Sequence, residues 1–188
     1  MRFRLTLLLL ALWLPISVSA LELVANGDFE EELTPAWTTA TSGAATVTVR
    51  ATTFDGDPDY EALAQKGTGN GHAKISQVMV VPSLDLDLSA ALRCEAYSSP
   101  GGPWAVGGLV IDYEDLHGNV LGTTLIGAKT SLCPWHDSGT FHWIAAPDQN
   151  WNDYALNLAD EIVNLYDVDP ADVQCVRMTL TGLVGGDC

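Results

Sequence analysis

Basic residues are scarce in this chain. Lys and Arg number 8 among 188 residues, against 24 Asp and Glu, which gives a formal net charge of −16 at pH 7. Because two of the basic residues, Arg2 and Arg4, and none of the acidic ones precede residue 21, the chain from residue 21 onward carries about −18. Such a charge repels nucleic-acid phosphates and anionic glycans. We therefore expect no nucleic-acid partner; neutral ligands, or ligands bridged by cations, are compatible with this charge.

No apolar run reaches the roughly 20 residues that span a bilayer. The longest, residues 5–14, follows Arg2 and Arg4 and precedes the small residues Val18-Ser19-Ala20. This order is typical of a secretory signal peptide. We predict that residues 1–20 are a leader, that the protein has no membrane span, and that residues 21–188 are secreted into the extracellular or periplasmic space. The length of that segment fits one domain.

Two common catalytic motifs, Gly-x-Ser-x-Gly and His-Glu-x-x-His, do not occur in the sequence. Cys133, His136 and His142 would bind zinc only if the fold supplied a further ligand, and an exported Cys is more often in a disulfide.

Asp112 and Glu114 would share one face of a strand, but in so acidic a chain a pair of carboxylates is expected by chance. We interpret them as solvated edge residues and predict that the protein is not an enzyme.

The EF-hand calcium loop is excluded by two residues. Asp55, Asp57 and Asp59 have the spacing of its first ligands. However, Tyr60 occupies the position that requires glycine, and Lys66 occupies the position of the closing glutamate.

The sequence contains four cysteines, Cys94, Cys133, Cys175 and Cys188. In an exported protein disulfide formation is the default expectation, and three pairings are open. Apolar alternation in the flanking segments directs Cys94 into the core and Cys175 toward the opposite face of its strand. We therefore expect Cys175 to pair with Cys133 or Cys188 rather than with Cys94.

Short runs of Val, Ile, Thr and aromatic residues, separated by Gly, Pro, Asn and Asp, occur along most of the sequence. They predict an all-β fold, a two-sheet antiparallel β-sandwich, with residues 53–70 as an exposed loop. Gly118 predicts a hairpin turn, and one or two short connecting helices are expected over residues 160–165 and from Asp169-Pro170. The predicted strands are residues 21–25, 36–40, 45–50, 72–81, 84–98, 105–112, 120–126, 140–145, 154–158 and 173–183.

Three segments of the sequence occur in an order that is typical of one group of β-sandwich domains. They are Asn26-Gly27-Asp28-Phe29-Glu30 with Trp37 after it, a Gly-rich turn and strand over residues 69–82, and Trp151 followed by Tyr154. This order resembles the galactose-binding-like jelly-roll domains of carbohydrate-binding modules, and the likeness extends over residues 21–188.

The resemblance implies a jelly-roll sandwich that binds carbohydrate, and the acidic charge of the chain favours a neutral glycan or polysaccharide as the ligand. It also implies that Trp37 and Trp151 lie in the core and that Glu30, with Asp28 close by in sequence, holds a structural Ca²⁺; the alternative is that Asn26 and Gly27 form a turn while both acids face water. The family's closing strand, of the type Phe-Asp-Asn-Val, has no counterpart here. Either that strand is missing, or the last strand is residues 173–183 and one sheet edge is open to self-association.

The remaining tryptophans include two in loops beside polar residues. Aromatic rings pack against the C–H faces of sugars while polar side chains bond the hydroxyls. We therefore predict a non-catalytic module that binds a neutral carbohydrate; the alternative is a structural or adhesion sandwich without a sugar ligand. The predicted sugar-binding residues are Trp104, Trp135, His136, Asp137 and Trp143.

Overall fold

The computed structural model describes residues 22–43, 47–53, 60–99 and 101–185. Ten strands account for most of the regular structure, so the predicted all-β class is confirmed. The strands are β1 (Thr38–Thr41), β2 (Val47–Thr52), β3 (Glu61–Lys66), β4 (Gly71–Val80), β5 (Asp87–Leu92), β6 (Ala105–Glu114), β7 (Val120–Lys129), β8 (Phe141–Ala145), β9 (Asn152–Asn157) and β10 (Cys175–Val184).

Six of the strands form one large sheet in the order β1-β4-β10-β6-β7-β8. Its pairs are antiparallel except for β7 and β8, which are parallel. The predicted hairpin is confirmed as the β6–β7 turn, where Gly118 has a φ of 78° and donates its N–H to Asp115 O. The parallel pair arises because residues 130–140 cross back along the sheet before β8 begins, so the expectation of an entirely antiparallel arrangement is wrong here.

Two further two-stranded sheets, β2–β3 and β5–β9, accompany the large sheet. The core lies between β5–β9 and one face of the large sheet, which we call the core face. Alternate residues of the large sheet supply its inner side, and β5, β9 and the segment after β9 supply the other. Its members include Met79, Leu109, Ile111, Ile126, Val176 and Met178 on one side and Leu88, Leu92, Leu158, Ile162 and Leu165 on the other.

The β2–β3 pair covers the same face of the large sheet. Gly182 of β10 faces β3 so closely that a Cβ there would lie 3.0 Å from Lys66 N and 3.1 Å from Ala64 O. Both small sheets pack on the core face, and none of the described strands packs on the other side of the large sheet. We call that side the open face.

A short α-helix, α1 (Leu158–Glu161), follows β9 directly and continues as a 3-10 turn over Ile162–Asn164. It begins earlier than expected because Asn157, not Asp160, caps it by accepting from Ala159 N at 2.9 Å. The second predicted turn is confirmed, since Asp169 caps Pro170–Asp172 in the same way. No helix among the described residues is long and apolar enough to span a membrane. The predicted leader, residues 1–20, lies outside the described residues.

Several strand predictions were wrong. Residues 22–25 are irregular, and Ala25 is held instead by the side chain of Gln77, which bonds its N–H and its carbonyl. The predicted strand 84–98 shortens to β5, while the predicted loop 53–70 contains β3, whose Glu-Ala-Leu-Ala-Gln-Lys sequence has no β-branched residue.

The final strand does not leave an edge open. β10 lies in the middle of the large sheet, between β4 and β6, whereas β1 and β8 form its edges. Trp37 is buried as expected, but the core position predicted for Trp151 is wrong because this side chain is 42% exposed.

No disulfide joins any two of the described cysteines, Cys94, Cys133 and Cys175, all of which are buried. The alternation was read correctly, because Cys94 lies in the core and Cys175 lies on the opposite face of the sheet. However, Cys133 packs against Leu183 at the far end of β10 from Cys175. Eight residues of strand separate those ends by about 25 Å at 3.3 Å per residue, well beyond disulfide reach. Cys188 lies outside the described residues.

Candidate functional site on the open face

The open face contains a concavity of about 530 Å³. Its floor is made by alternate residues of β4, β10, β6 and β7, and its wall by β8 and the loop between β7 and β8. Because alternate side chains of a strand point to opposite faces, the same strands that build the core also line this surface. The lining residues are Lys74, Ser76, Val110, Asp112, Thr123, Trp135, Phe141, Arg177, Thr179, Thr181 and Leu183.

Two aromatic rings, those of Trp135 and Phe141, belong to the wall, and Trp104 packs against Trp135 without lining the concavity. The ring centroid of Trp135 lies 6.0 Å from that of Trp104 and 5.8 Å from that of Phe141, and both ring pairs are tilted. All three side chains are half-buried. The structure thus brings together Trp104 and Trp135, which the sequence placed in separate loops, and adds Phe141, which the sequence analysis did not single out.

A small apolar cluster supports this wall. Val106, Leu125, Cys133 and Leu183 are buried beneath the aromatic rings. Lys129 Nζ also donates a hydrogen bond to the backbone carbonyl of Trp135. The apolar cluster therefore packs against the ring of Trp135, and the hydrogen bond from Lys129 fixes the backbone of the loop that carries it.

The three other predicted sugar-binding residues have different surroundings. Trp143 lies on the open face, but Lys129 Nζ sits 4.0 Å from its ring centroid and its indole N–H donates to Gly127 O. Asp137 accepts from Trp143 N at 2.7 Å and so fastens the loop to the edge strand. His136 is exposed, and neither it nor Asp137 or Trp143 lines the concavity.

An ion pair with a buried carboxylate lies at one end of the floor. Arg177 Nε donates to Glu114 Oε1 at 2.6 Å, and its Nη2 donates to Oε2 at 3.3 Å. Glu114 is only 2% exposed, so interpreting it as a solvated edge residue was wrong: β6 is flanked on both sides by paired strands. The hydrogen bond to Glu114 raises the pKa of Arg177.

Asp112 is the direct cross-strand partner of Arg177 and is half-buried. It accepts from Thr123 Oγ1 at 2.7 Å. Burial raises the pKa of Asp112, and the charge of Glu114 raises it further, although the hydrogen bond from Thr123 and the positive charges of Arg177 and Lys74 oppose the rise. Asp112 is thus a carboxyl group at the surface of a concavity, not a fully solvated one.

Hydroxyl groups line the rest of the floor. The side chains of Ser76 and Thr179 are hydrogen-bonded to each other at 3.0 Å. Thr181 is 3% exposed, and its Oγ1 has no hydrogen-bond partner among the described residues. A buried hydroxyl without a partner is costly, and here it belongs to a side chain that lines the concavity.

One pattern in the sequence could have located this floor. Arg177, Thr179 and Thr181 alternate with the core residues Met178 and Leu180 along β10. Polar residues at every second position of a central strand indicate that one face of the sheet is not covered by a second layer.

The residues proposed for calcium lie apart from this site, at exposed positions. Asp28 Oδ1 accepts from Glu30 N, and Glu30 Oε1 accepts from Tyr60 N, both at 3.4 Å. Among the described residues no group of three or more His, Cys, Asp or Glu side chains is arranged to hold a metal ion. Calcium at Asp28 and Glu30 therefore stays a prediction of the family resemblance.

A second polar cluster lies on the core face. Glu161 accepts from Thr124 Oγ1 at 2.9 Å and from Asn164 Nδ2 at 3.2 Å, and its Oε1 lies 2.6 Å from His142 Nδ1. These contacts connect α1 and the turn after it to β7 and β8. The cluster places His142 on the opposite face of the sheet from Cys133, with which it was considered as a zinc ligand.

Comparison with known proteins shows only distant structural likeness. No protein-family model matches the chain, and no curated protein sequence matches it. The enzymatically active domain of tailspike protein 4 from bacteriophage CBA120 is similar in structure, with a TM-score of 0.48 and 17% sequence identity. The alignment covers 87% of this chain and 20% of that one, so the chain spans about a fifth of the tailspike structure. At this distance the likeness bears on neither fold family nor function.

Proposed function

We propose that this protein is a secreted, non-catalytic module of jelly-roll type that binds a neutral carbohydrate in the concavity of the open face. The observation that carries the proposal is that the ring of Trp135 and a floor of polar side chains line the same concavity. Sugar rings are amphipathic, with C–H faces that pack on aromatic rings and hydroxyls at their edges that need donors and acceptors. The lining of the concavity offers both.

Charge supports a neutral ligand. The positive charges at the floor, on Lys74 and Arg177, are matched by Asp112, which lines it, and by the buried Glu114. The site therefore has no excess of either sign, while the chain as a whole is strongly acidic and repels polyanions.

The first experiment compares wild type with two tryptophan variants on an array of neutral glycans. Residues 21–188 would be tested with and without calcium, together with Trp135→Ala and the matched control Trp151→Ala, which removes an exposed ring outside the concavity. We expect wild type and Trp151→Ala to bind the same glycans and Trp135→Ala to lose at least tenfold in affinity, while circular dichroism shows all three folded.

Two results would contradict the proposal. Wild type that binds no neutral glycan in either condition excludes it, and so does a folded Trp135→Ala that binds as well as wild type. If Trp135→Ala does not fold, Lys74→Gln at the half-buried opposite side of the concavity replaces it, with the same expected loss and the same contradicting result.

The structural or adhesion alternative rests on the sheet edge. All four residues of β1 are exposed, and the strand pairs only with β4 among the described strands. Such an edge is a template for pairing with another chain. If the protein assembles through it, sedimentation velocity will show concentration-dependent dimers, and Ala40→Lys, which puts a charge on that edge, will abolish them. A monomer at all concentrations contradicts this second function.

A further inference from the structure

Resting on that proposed function, we propose that Asp112 and Arg177 form an acceptor and donor pair that binds two adjacent hydroxyl groups of the sugar. The ligand class that follows is a neutral polysaccharide whose internal residues keep a vicinal diol.

The positions of the two side chains suit this role. Asp112 and Arg177 are directly opposite on neighbouring strands, and such partners have Cβ atoms about 5 Å apart on the same face. Both line the concavity. Adjacent hydroxyls on a pyranose ring are separated by a single carbon–carbon bond, so a carboxylate and a guanidinium side by side can contact one hydroxyl each.

Each side chain has hydrogen-bonding capacity left over. Thr123 occupies Oδ1 of Asp112, which leaves Oδ2 as an acceptor. Arg177 uses its Nε and one Nη2 hydrogen on Glu114, so three of its five N–H groups are not used by that pair. A hydroxyl that donates to the carboxylate and a neighbour that accepts from the guanidinium would form charge-assisted hydrogen bonds, the stronger kind.

Two neighbours act as positioning residues. Glu114 fixes the plane of the Arg177 guanidinium, and Thr123 fixes the Asp112 carboxylate. Neither needs to touch the ligand. Further along β10, the Thr181 hydroxyl that lacks a partner is independent evidence that the concavity has unused polar groups.

The linkage of the polysaccharide decides whether such a diol exists. A 1,4-linked pyranose keeps free hydroxyls on carbons 2 and 3, which are adjacent. A 1,3-linked pyranose keeps those on carbons 2 and 4, which flank the linked carbon. Linear β-1,4-glucan and β-1,3-glucan are therefore matched probes, because they contain the same sugar and differ in the internal diol.

The experiment measures depletion of residues 21–188 from solution by suspended β-1,4-glucan, β-1,4-mannan, β-1,4-xylan and linear β-1,3-glucan. We expect at least one 1,4-linked polymer to bind at least tenfold more tightly than β-1,3-glucan. We also expect Asp112→Asn, which keeps an acceptor for Thr123, to lose at least tenfold on that polymer. The control Asp153→Asn, at an exposed position on β9, should bind like wild type.

The outcomes separate the two proposals. If β-1,3-glucan binds as tightly as the 1,4-linked polymers, or folded Asp112→Asn binds as tightly as wild type, the diol pair is wrong while glycan binding stands. If no polymer binds and the glycan array is also negative, both proposals fall. The comparison of linkages needs no variant, so it decides the question even if Asp112→Asn fails to fold.

Discussion

The guanidinium of Arg177 and the carboxylate of Glu114 are joined by two hydrogen bonds, at 2.6 and 3.3 Å, in a pair whose acidic member is almost fully buried. Arg177→Met would leave that carboxylate buried without its partner. We expect the free energy of unfolding, measured by urea denaturation, to fall by about 3 kcal/mol. The control is Arg93→Met, which removes an exposed pair with Glu95 at 2.9 Å and should cost less than about 1 kcal/mol. Equal losses in the two variants would contradict a special role for the buried pair.

Thr181→Val should change stability and binding in opposite directions. Valine keeps the shape of threonine and removes a buried hydroxyl that has no partner, so we expect the ligand-free protein to gain about 1 kcal/mol. The same change should weaken glycan affinity, because the hydroxyl lines the concavity. Thermal unfolding and glycan titration measure the two effects. Thr179→Val is the control, since it breaks the 3.0 Å bond to Ser76 and should lower stability. A destabilised Thr181→Val would show that its hydroxyl is already satisfied.

As the pH falls, glycan affinity should begin to drop at a higher pH than it would if Asp112 had the pKa of an ordinary aspartate. Burial holds the pKa of Asp112 above its usual 3.8, so the carboxylate that accepts the sugar hydroxyl is protonated earlier as the pH falls. The fold does not suffer from this protonation, because a carboxyl with a raised pKa takes up its proton more readily in the folded state and so adds stability as the pH falls. Affinity measured from pH 7 to pH 4 should therefore drop before unfolding begins. Asp112→Asn should flatten that drop; an unchanged profile in the variant would assign the titration to another group.

Glu161→Ala should destabilise the fold strongly. The change removes the acceptor of Thr124 and Asn164 and the partner of His142, in a region that is largely buried. We expect a loss of about 3 kcal/mol in the free energy of unfolding, from donors left without partners. The adjacent variant Asp160→Ala, at an exposed position, provides the comparison and should change stability by less than about 0.5 kcal/mol. Similar effects of the two variants in urea denaturation would argue against the network.

Cys94 should be unreactive in the folded protein. Burial in the core raises the pKa of its thiol from 9.0 to about 11, and the thiolate is the reactive form. At pH 8 we expect Cys94 to react with a disulfide reagent only after denaturant is added, as followed by mass spectrometry of the labelled peptide. Rapid labelling of the native protein would contradict its burial.

The same shift makes a prediction about alkaline stability. Between pH 9 and pH 11 the unfolded chain loses the Cys94 proton while the folded chain keeps it, so stability falls as the pH rises. Cys94→Ala should lose less stability over that range than wild type does. Parallel slopes for the two proteins would show that Cys94 does not contribute.

Much of the secondary structure was predictable because alternation in the sequence is strong where strands are long. β4, β6, β7 and β10 each span ten residues and were all predicted, with errors confined mainly to their ends. β3 was missed, since its residues are better helix formers than strand formers and pairing with β2 overrides that preference.

The candidate site was only partly predictable. Trp104 and Trp135 were singled out because loop tryptophans beside polar residues suit a sugar, and the structure places them side by side. Asp112, Arg177 and Thr181 were not recognised as one surface, because they come from two strands that are far apart in sequence and adjacent only through the order of the sheet. His136 and Asp137 were chosen for their nearness to Trp135 in sequence, but neither lines the concavity, and Asp137 instead accepts from Trp143 N.

The sequence alone determined the strand periodicity, the acidic charge and the burial of alternate residues such as Ile111 and Met178, because these depend on local pattern and composition. Tertiary structure decided which face of the large sheet is covered. Both small sheets pack on the face that carries Ile111 and Met178, whereas Asp112 and Arg177 on the other face line a concavity that no described strand covers. The sequence of one strand does not determine which face is covered. Alternation defines the two faces, but the face that is covered depends on where segments distant in sequence pack their apolar side chains.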